Sequence, residues 1–514
     1  MTTAAAFVLE KRHMSHHPCA LLSSCLMLSE TGQPFRMTMA ACLLVAALLS
    51  LAIGTIRVHS VVRDGEWAQT TGYEAGGLNL VYREANGIRP YGDLDKDATP
   101  GVFNGLFYTI YGGVARPLVD RPVAMVLALR LFSFVVMTIA AIAFGREAAR
   151  VLDRGIGNRS RSALMGAVCA IAVCFGPFTG WWWLTARPDI VVFACETIAL
   201  VTVRRALDEG RRGIPWAAPI CVALAWGFKQ NAVVVAAALL VFAPEPAWRF
   251  RVALAAACAA VFAALRIYEG PFYTQQLIWL AAARGQLGLK YVMPQVVTAL
   301  QVGAPFLLVP ILELPAAWKR SASGRLTAFL FVLSGVAATI QLARVGPSRN
   351  YFFTTYLAGA LLLVDAFAAR TIAPMWRRAA MTAAAVYVAV LPALYLARPN
   401  QLGRVTVTTL DVADARARVV VMRAAAAPRY VEDNLDALPW HSGQAVIETI
   451  DQAVYDSSVS AGVITISIAD RARAFYYGSA FVNSAVWRET FERAGYVLVR
   501  TLPGDVAYYR RPTT

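Results

Sequence analysis

Apolar runs long enough to cross a bilayer recur through most of the first four hundred residues, and they constrain the fold more than any single motif. A helix needs roughly 20 apolar residues to span the hydrocarbon core, and only helices or closed barrels satisfy their backbone groups there. Eleven such runs lie near 39–57, 122–145, 163–185, 188–203, 214–228, 231–243, 250–267, 295–313, 325–343, 351–368 and 379–396. The pair at 214–243 is short, with Lys229, Gln230 and Asn231 between its halves, which fits either a hairpin or one broken helix. With 58% hydrophobic residues, 16% charged ones and a mean hydropathy of +0.52, the chain is not an ordinary soluble enzyme. The expected fold is a polytopic α-helical membrane protein of about 11 transmembrane helices with a small C-terminal α/β domain.

The net charge of +16 comes from clusters between the apolar runs, not from a nucleic-acid-binding face. These are Arg146, Arg150, Arg154, Arg159 and Arg161; Arg204, Arg205, Arg211 and Arg212; Arg249 and Arg251; Lys319, Arg320 and Arg325; and Arg370, Arg377 and Arg378. With eleven spans all five clusters share a side with Lys11, Arg12 and Arg36, the cytoplasmic side by the positive-inside rule. The expected layout is a cytoplasmic tail at 1–38, a transmembrane domain at 39–396 with an outer loop at 58–121, and a periplasmic domain at 397–514. A bacterial inner membrane suits it. In the last part, "AGVITISIA" reads as strand and "NSAVWRETFERAGYV" as helix.

All eight cysteines lie in the N-terminal tail or in or beside apolar segments, and no CxxC occurs, so they read as packing residues. The stretch "CALLSSCLMLS" lacks a small-residue cleavage site, and Met37 is a candidate start.

The outer loop is acidic. Glu74, Glu84, Asp93, Asp95 and Asp97 fall within 73–100, with Asp64 and Glu66 just before. Solvation alone accounts for such a loop. A sharper reading is that an acceptor hydroxyl needs a base, and a carboxylate at the membrane surface supplies one. Glu74, ahead of "AGG" and the amphipathic "LNLVYREAN", is the first choice, that stretch being expected to lie on the membrane. Asp93, Asp95 and Asp97 imitate an EF-hand start, but Ala98 replaces its glycine and Asn104 its bidentate glutamate, leaving only a looser divalent metal site as an option. The aromatic "TPGVFNGLFYTIYGGVARPL" is expected to pack at the outer face without spanning.

Three outward turns each carry a cation: Arg187 in "WWWLTARPDIV", Lys229 in "WGFKQN" and Arg349 in "VGPSRNYF". Helix-end cations commonly snorkel, but three of them against the positive-inside bias suit an anionic lipid head group. Glu196, inside a span, is either functional or the ion-pair partner of Arg130 in "LRLFS".

In order and sidedness these segments resemble the GT-C superfamily of membrane glycosyltransferases, in particular the bacterial aminoarabinose and lipopolysaccharide-core sugar transferases and the protein mannosyltransferases. "YEAGGLNLVYREANGIRPYGDL" is similar to the first-loop pattern of an acidic residue followed by "A..I..G..PY.D". "TPGVFNGLFYTIYGG", "LRLFS", "ARPDIV", "FKQN" and "RNYFFTTY" are similar to the family's later elements. The resemblance implies transfer of a sugar from a polyprenyl-phosphate carrier to an envelope glycan, lipid or protein acceptor, with inversion at the anomeric carbon. By register Glu74 takes the acidic position, with Asp64 and Asp93 in reserve. Arg187, Lys229 and Arg349 would hold the phosphate, and Tyr91, Asp189, Asn350 and Tyr351 would line the substrate site. Two other functions compete: a transporter or flippase of a lipid-linked sugar, which would need neither the acidic loop nor the large outer domain, and a structural membrane subunit with a periplasmic interaction domain.

Overall fold

Every one of the eleven apolar runs falls at least partly on helix in the computed structural model, which describes residues 33–64, 74–96, 99, 101, 103–283, 289–342, 349–369, 375–398, 409–432, 465–474 and 476–512. The first helices are α1 (Gln33–Asp64), α2 (Glu74–Ala85), α3 (Gly105–Ala115), α4 (Pro122–Ile156) and α5 (Arg159–Cys174). They are followed by α6 (Asp189–Asp208), α7 (Ala217–Phe228), α8 (Val233–Val241), α9 (Ala247–Glu269) and α10 (Pro271–Ala283). Then come α11 (Leu289–Leu307), α12 (Val309–Arg320), α13 (Ala322–Leu342), α14 (Phe353–Ala368) and α15 (Met375–Ala397). The C-terminal part holds α16 (Thr409–Ala424), β1 (Arg429–Val431), α17 (Ile468–Arg473), β2 (Ser479–Val482), α18 (Ala485–Arg493), β3 (Val497–Leu502) and β4 (Val506–Arg510).

Among the described residues seven helical stretches are long and apolar enough to span, at 35–64, 122–156, 247–269, 292–320, 322–342, 350–368 and 375–397. Helices α5, α7 and α8 are shorter, and the 20-residue α6 carries charges along its length. Helix α4 packs along α5 and α6, α1 along α5 and α15, and α13 along α14.

Several expectations need correction. The run at 163–185 does not stay helical: α5 stops at Cys174, and Gly176 to Pro188 form turns around a short 3₁₀ segment at Trp182–Leu184. Trp181, Trp182 and Trp183 are buried in protein, where irregular backbone at membrane depth is tolerated. Helix α1 runs seven residues past the expected end at 57. Helix α2 forms as its spacing suggests, but Leu78, Asn79, Leu80, Val81, Arg83 and Glu84 are all buried, so it packs inside the fold and not on its surface. It sits against α3, whose 11 residues are too few to span, as expected.

The two short runs form the hairpin. The chain turns extended at Lys229 between α7 and α8, and the hairpin's open ends are tied by the Gly213 amide donating to the Glu245 carbonyl at 3.1 Å.

Helix α6 is joined to the segment containing α14 at three levels. At its start Asp189 accepts from Asn350 Nδ2 at 2.6 Å, two turns on Glu196 accepts from Thr354 Oγ1 at 2.6 Å, and near its end Arg204 donates to Asp365 at 2.8 and 3.2 Å. Glu196 is therefore not Arg130's partner in this structure. At the Arg204 end Glu147 also accepts from Arg150, Arg204 and Arg205, and Asp208 accepts from Arg150 and Arg154. Two of the basic clusters thus gather at one end of the bundle, with Arg204 about 23 Å from Asp189 by helix rise.

The C-terminal sheet has the order β1-β2-β4-β3, with β1 and β2 parallel and the remaining pairs antiparallel. Val421 and Met422 of α16 cover one face, and Trp487 and Phe491 of α18 with Ala472 of α17 cover the other. "NSAVWRETFERAGYV" is helical over α18 as expected. In "AGVITISIA", residues 461–464 lie outside the described residues and the last two begin α17, where a capping box between Ser467 and Asp470 outweighs strand propensity.

The acidic loop and this domain meet. Asp95 accepts from the Thr465 amide and hydroxyl, both at 2.6 Å, and from the Ile466 amide at 2.9 Å. Arg471 donates to the Leu94 carbonyl at 2.9 Å and the Lys96 carbonyl at 3.3 Å, and Leu94 is buried among Tyr477, Ile468 and Ala472. Partial burial pushes the Asp95 carboxyl up, but the Thr465 and Ile466 donors and the Arg471 charge lower it further, so it titrates below its ordinary value. The charged groups nearby are Arg471, Lys96 and Asp93. A depressed carboxyl contributes stability above its unfolded pKa and loses it as pH falls through the folded one. Hydrogen exchange at 465–474, corrected for its intrinsic pH dependence, is therefore expected to rise as pH falls below the ordinary carboxylate range. Unchanged protection there would show that Asp95 does not hold the domain.

Candidate active site

Four segments distant in sequence converge where α6 begins. Asp189 is the first residue of that helix, and its Oδ1 accepts from Lys229 Nζ at 2.5 Å and from Asn350 Nδ2 at 2.6 Å. Arg187 Nε lies 3.3 Å from the Asp189 carboxylate. The Arg187 guanidinium also sits 4.4 Å from the Trp182 ring centroid and 5.4 Å from that of Phe103, while Lys229 Nζ is 4.7 Å from that of Tyr351. Arg187, Asp189, Lys229 and Asn350 are all buried. Two buried cations against the rings of Trp182, Phe103 and Tyr351, with one carboxylate between them, have the chemistry to hold an anion through charge-assisted hydrogen bonds.

The turn that presents Arg187 is fixed from behind. Glu74, fully buried, accepts from Arg130 Nε at 3.0 Å and Nη2 at 2.8 Å, and from the Ala186 amide at 3.0 Å. One helical turn beyond Arg130, Ser133 Oγ donates to the Thr185 carbonyl at 2.7 Å. Tyr111 OH shares a 2.8 Å hydrogen bond with Ser133 and donates to the Arg187 carbonyl at 3.3 Å. The "LRLFS" segment is thus the brace of the "ARPD" turn. Arg57 reinforces it, donating from Nη1 to the Gly180 carbonyl and stacking 5.1 Å from Trp181.

The loop wall is built on Tyr91, whose hydroxyl donates to the Phe103 carbonyl and whose ring meets Tyr108 and Tyr273 edge-on. Burial, with the charges of Tyr108 and Glu269 adding to it, raises the Tyr91 hydroxyl well above its ordinary pKa. Gln276 clamps both sides of this loop, donating to the Gly92 carbonyl at 2.7 Å and accepting from the Gly101 amide at 2.9 Å. Asn104 caps α3 and donates to the Trp226 carbonyl at 2.7 Å.

The structure thus brings Arg187, Asp189, Lys229, Asn350 and Tyr351 together. Arg349 lies in the same 3₁₀ turn as Asn350, and its side chain is outside the described residues. Tyr91 is a buried strut. Asp64 ends α1 and is held by Arg63 at 2.6 Å. Asp93 is half-buried, with Oδ1 accepting from the Asp95 amide and Oδ2 3.7 Å from Lys96 Nζ. Asp97 lies outside the described residues. Among those described, no group of three or more His, Cys, Asp or Glu side chains is placed to hold a metal. Arg57, Tyr111, Asn104 and Gln276 were not legible as site supports, because what ties them to the site is a partner far along the chain, whereas Ser133 lies in "LRLFS", a segment that the family resemblance singles out.

No protein-family model matches the chain, and no curated protein matches it. Solved structures do match. ArnT from Cupriavidus metallidurans bound to undecaprenyl phosphate superposes with a TM-score of 0.55 at 10% identity, covering 91% of this chain and 99% of that one. Its apo form gives 0.55 at 11% identity over the same shares. The Archaeoglobus fulgidus oligosaccharyltransferase, tethered to an acceptor peptide containing the NVT sequon via a disulfide bond, gives 0.50 at 12% identity, covering 92% of this chain and 74% of that one. At these identities the likeness is one of fold, and it extends over nearly the whole chain.

Proposed function

Starting from the GT-C membrane fold that the chain shares with these proteins, we propose that it transfers a sugar from a polyprenyl-phosphate carrier to a cell-envelope acceptor at the outer face of a bacterial inner membrane. The observation that carries this reading is the convergence of Arg187, Lys229, Asp189 and Asn350 on one aromatic recess. In such a reaction the acceptor oxygen attacks the anomeric carbon, the bond from that carbon to the phosphate oxygen breaks, and negative charge grows on the departing phosphate. Arg187 and Lys229 meet that charge, and preorganised donors of this kind stabilise a transition state because they are in place before the charge develops. With Asp189 between them the described side chains total one net positive charge. Arg349, on the same turn as Asn350, is assigned to the phosphate with them.

The acceptor proton goes to a carboxylate, and here the geometry redirects the assignment. Both Glu74 oxygens are committed to Arg130 and Ala186 in a site closed to solvent, which makes Glu74 a positioning residue. Asp93 keeps solvent access on the loop that ends at Phe103, whose ring lies 5.4 Å from the Arg187 guanidinium, and we assign it as the base. A panel of radiolabelled polyprenyl-phosphate sugars with envelope acceptors tests both points. Asp93→Asn is expected to lower transfer at least about a hundredfold, the lower end of the usual contribution of a general base, with the folding temperature unchanged. Full transfer by Asp93→Asn beside a folded but inactive Glu74→Gln would return the role of base to Glu74. Movement of the lipid-linked sugar across vesicles without bond formation would favour a flippase instead.

A further inference from the structure

The loop joining Tyr91 to Phe103 is held at three points, and one of them belongs to another domain. On the bundle side Gln276 holds Gly92 and Gly101, and Tyr91 holds the Phe103 carbonyl. On the far side the C-terminal domain grips residues 94–96: Asp95 takes three hydrogen bonds from Thr465 and Ile466, Arg471 donates to the carbonyls on either side of it, and Leu94 inserts into that domain's core. Arg471 is itself buried. Phe103, whose carbonyl Tyr91 holds, lies 5.4 Å from the Arg187 guanidinium, so among the described residues contacts lead from the C-terminal domain through residues 91–96 and Phe103 to Arg187.

We propose that Leu94, Asp95 and Arg471 form a clasp through which the C-terminal domain sets the position of the loop wall against Arg187, making Asp95 a positioning residue for the acceptor side of the site. This rests on the transferase reading for its kinetic consequence and on the hydrogen bonds alone for its structural one. The clasp explains why the loop carries a carboxylate two residues beyond the assigned base: a short anionic side chain accepts several backbone amides at once, which a neutral or longer one does less well. It also gives the outer domain a task that a solubilising appendage would lack.

The test uses the full-length protein in nanodiscs, comparing wild type with Asp95→Ala, Asp95→Asn and the milder Thr465→Val. Hydrogen exchange is followed at 88–103 and at 465–474, and transfer is measured with donor and acceptor varied separately. Asp95→Ala is expected to raise exchange in both segments and to raise the acceptor KM roughly tenfold, with kcat and the donor KM within about twofold. Asp95→Asn, which keeps an acceptor oxygen for the two amides, recovers much of the loss, and Thr465→Val shifts the same parameters less. Increased exchange confined to 465–474 with unchanged kinetics would overturn the clasp, as would a fall in kcat alone, which would point to disturbance of Asp93. Should the wild type transfer no sugar from any donor, the transferase reading falls. The paired exchange at 88–103 and 465–474 then decides the clasp on its own, in Asp95→Ala or, if that variant does not fold, in Thr465→Val.

Discussion

Lys229→Met is expected to lower transfer about a hundredfold, by removing one of two cations from a recess in which no other described side chain replaces it. A hydrogen bond to a charged group contributes about 1.5–3 kcal/mol, and each 1.4 kcal/mol is a factor of ten. Lys229 faces Asp189 at 2.5 Å and, in the proposed reaction, the phosphate as well. Its loss therefore leaves a buried carboxylate with Arg187 and Asn350 alone, which costs stability as well as catalysis. The double variant Lys229→Met with Asp189→Asn separates the two effects, because the recess keeps its net charge. The expected result is a folding temperature close to wild type and transfer still lost. Lys229→Arg restores charge without the compact ammonium and is expected to recover only part of the activity. Wild-type transfer by Lys229→Met, measured with the donor that serves the native protein, would remove the recess from the mechanism.

Arg130→Ala carries the largest expected effect on stability. Arg130 supplies two hydrogen bonds to the fully buried Glu74 carboxylate and the Ala186 amide a third, so the substitution removes the cation and leaves the charge in place. Breaking a buried pair from one side costs about 3–5 kcal/mol. Thermal unfolding in detergent should show a pronounced fall for Arg130→Ala and a clear recovery when Glu74→Gln is added, because the two changes act on one interaction and are not additive. The same brace holds the Thr185 carbonyl through Ser133 and the Arg187 carbonyl through Tyr111, so residual folded protein should also bind phosphate poorly. An Arg130→Ala protein that unfolds at the wild-type temperature would show that the pair is not needed.

Spans were legible because a bilayer imposes a crude rule, and each apolar run from 39–57 to 379–396 met a helix. Hydropathy reports that a segment avoids water and not that it is helical, which is why 163–185 was read as one span although the backbone leaves the helix at Cys174. That Arg187 and Lys229 would gather was legible from their expected placement in outward turns, whereas Asp189, Asn350 and Tyr351 were legible only through the family resemblance. The acidic loop was harder: its carboxylates look alike in sequence, yet Glu74 is an internal brace, Glu84 accepts from Tyr268 at 2.6 Å, Asp95 is a domain contact and Asp93 keeps access to solvent with a weak partner. Partners separated by 56 residues for Glu74 and 370 for Asp95 decide those differences, and no local spacing encodes them. Ser467 and Asp470 could have been read, since a serine three residues before an acidic one is a helix-start signal.

The three polar rungs between α6 and the segment of α14 fix more than two helices. Sliding one past the other by a single turn, about 5.4 Å, would separate Asn350 from Asp189, Thr354 from Glu196 and Asp365 from Arg204 together. A ratchet of the kind that switches many packed helices is thus closed to this pair, which serves as the stator of the molecule. In the proposed reaction, any movement that admits the lipid carrier to Arg187 and Lys229 falls to the parts that ride on this pair, the loop wall around Tyr91 and the α7–α8 hairpin that carries Lys229 at its tip.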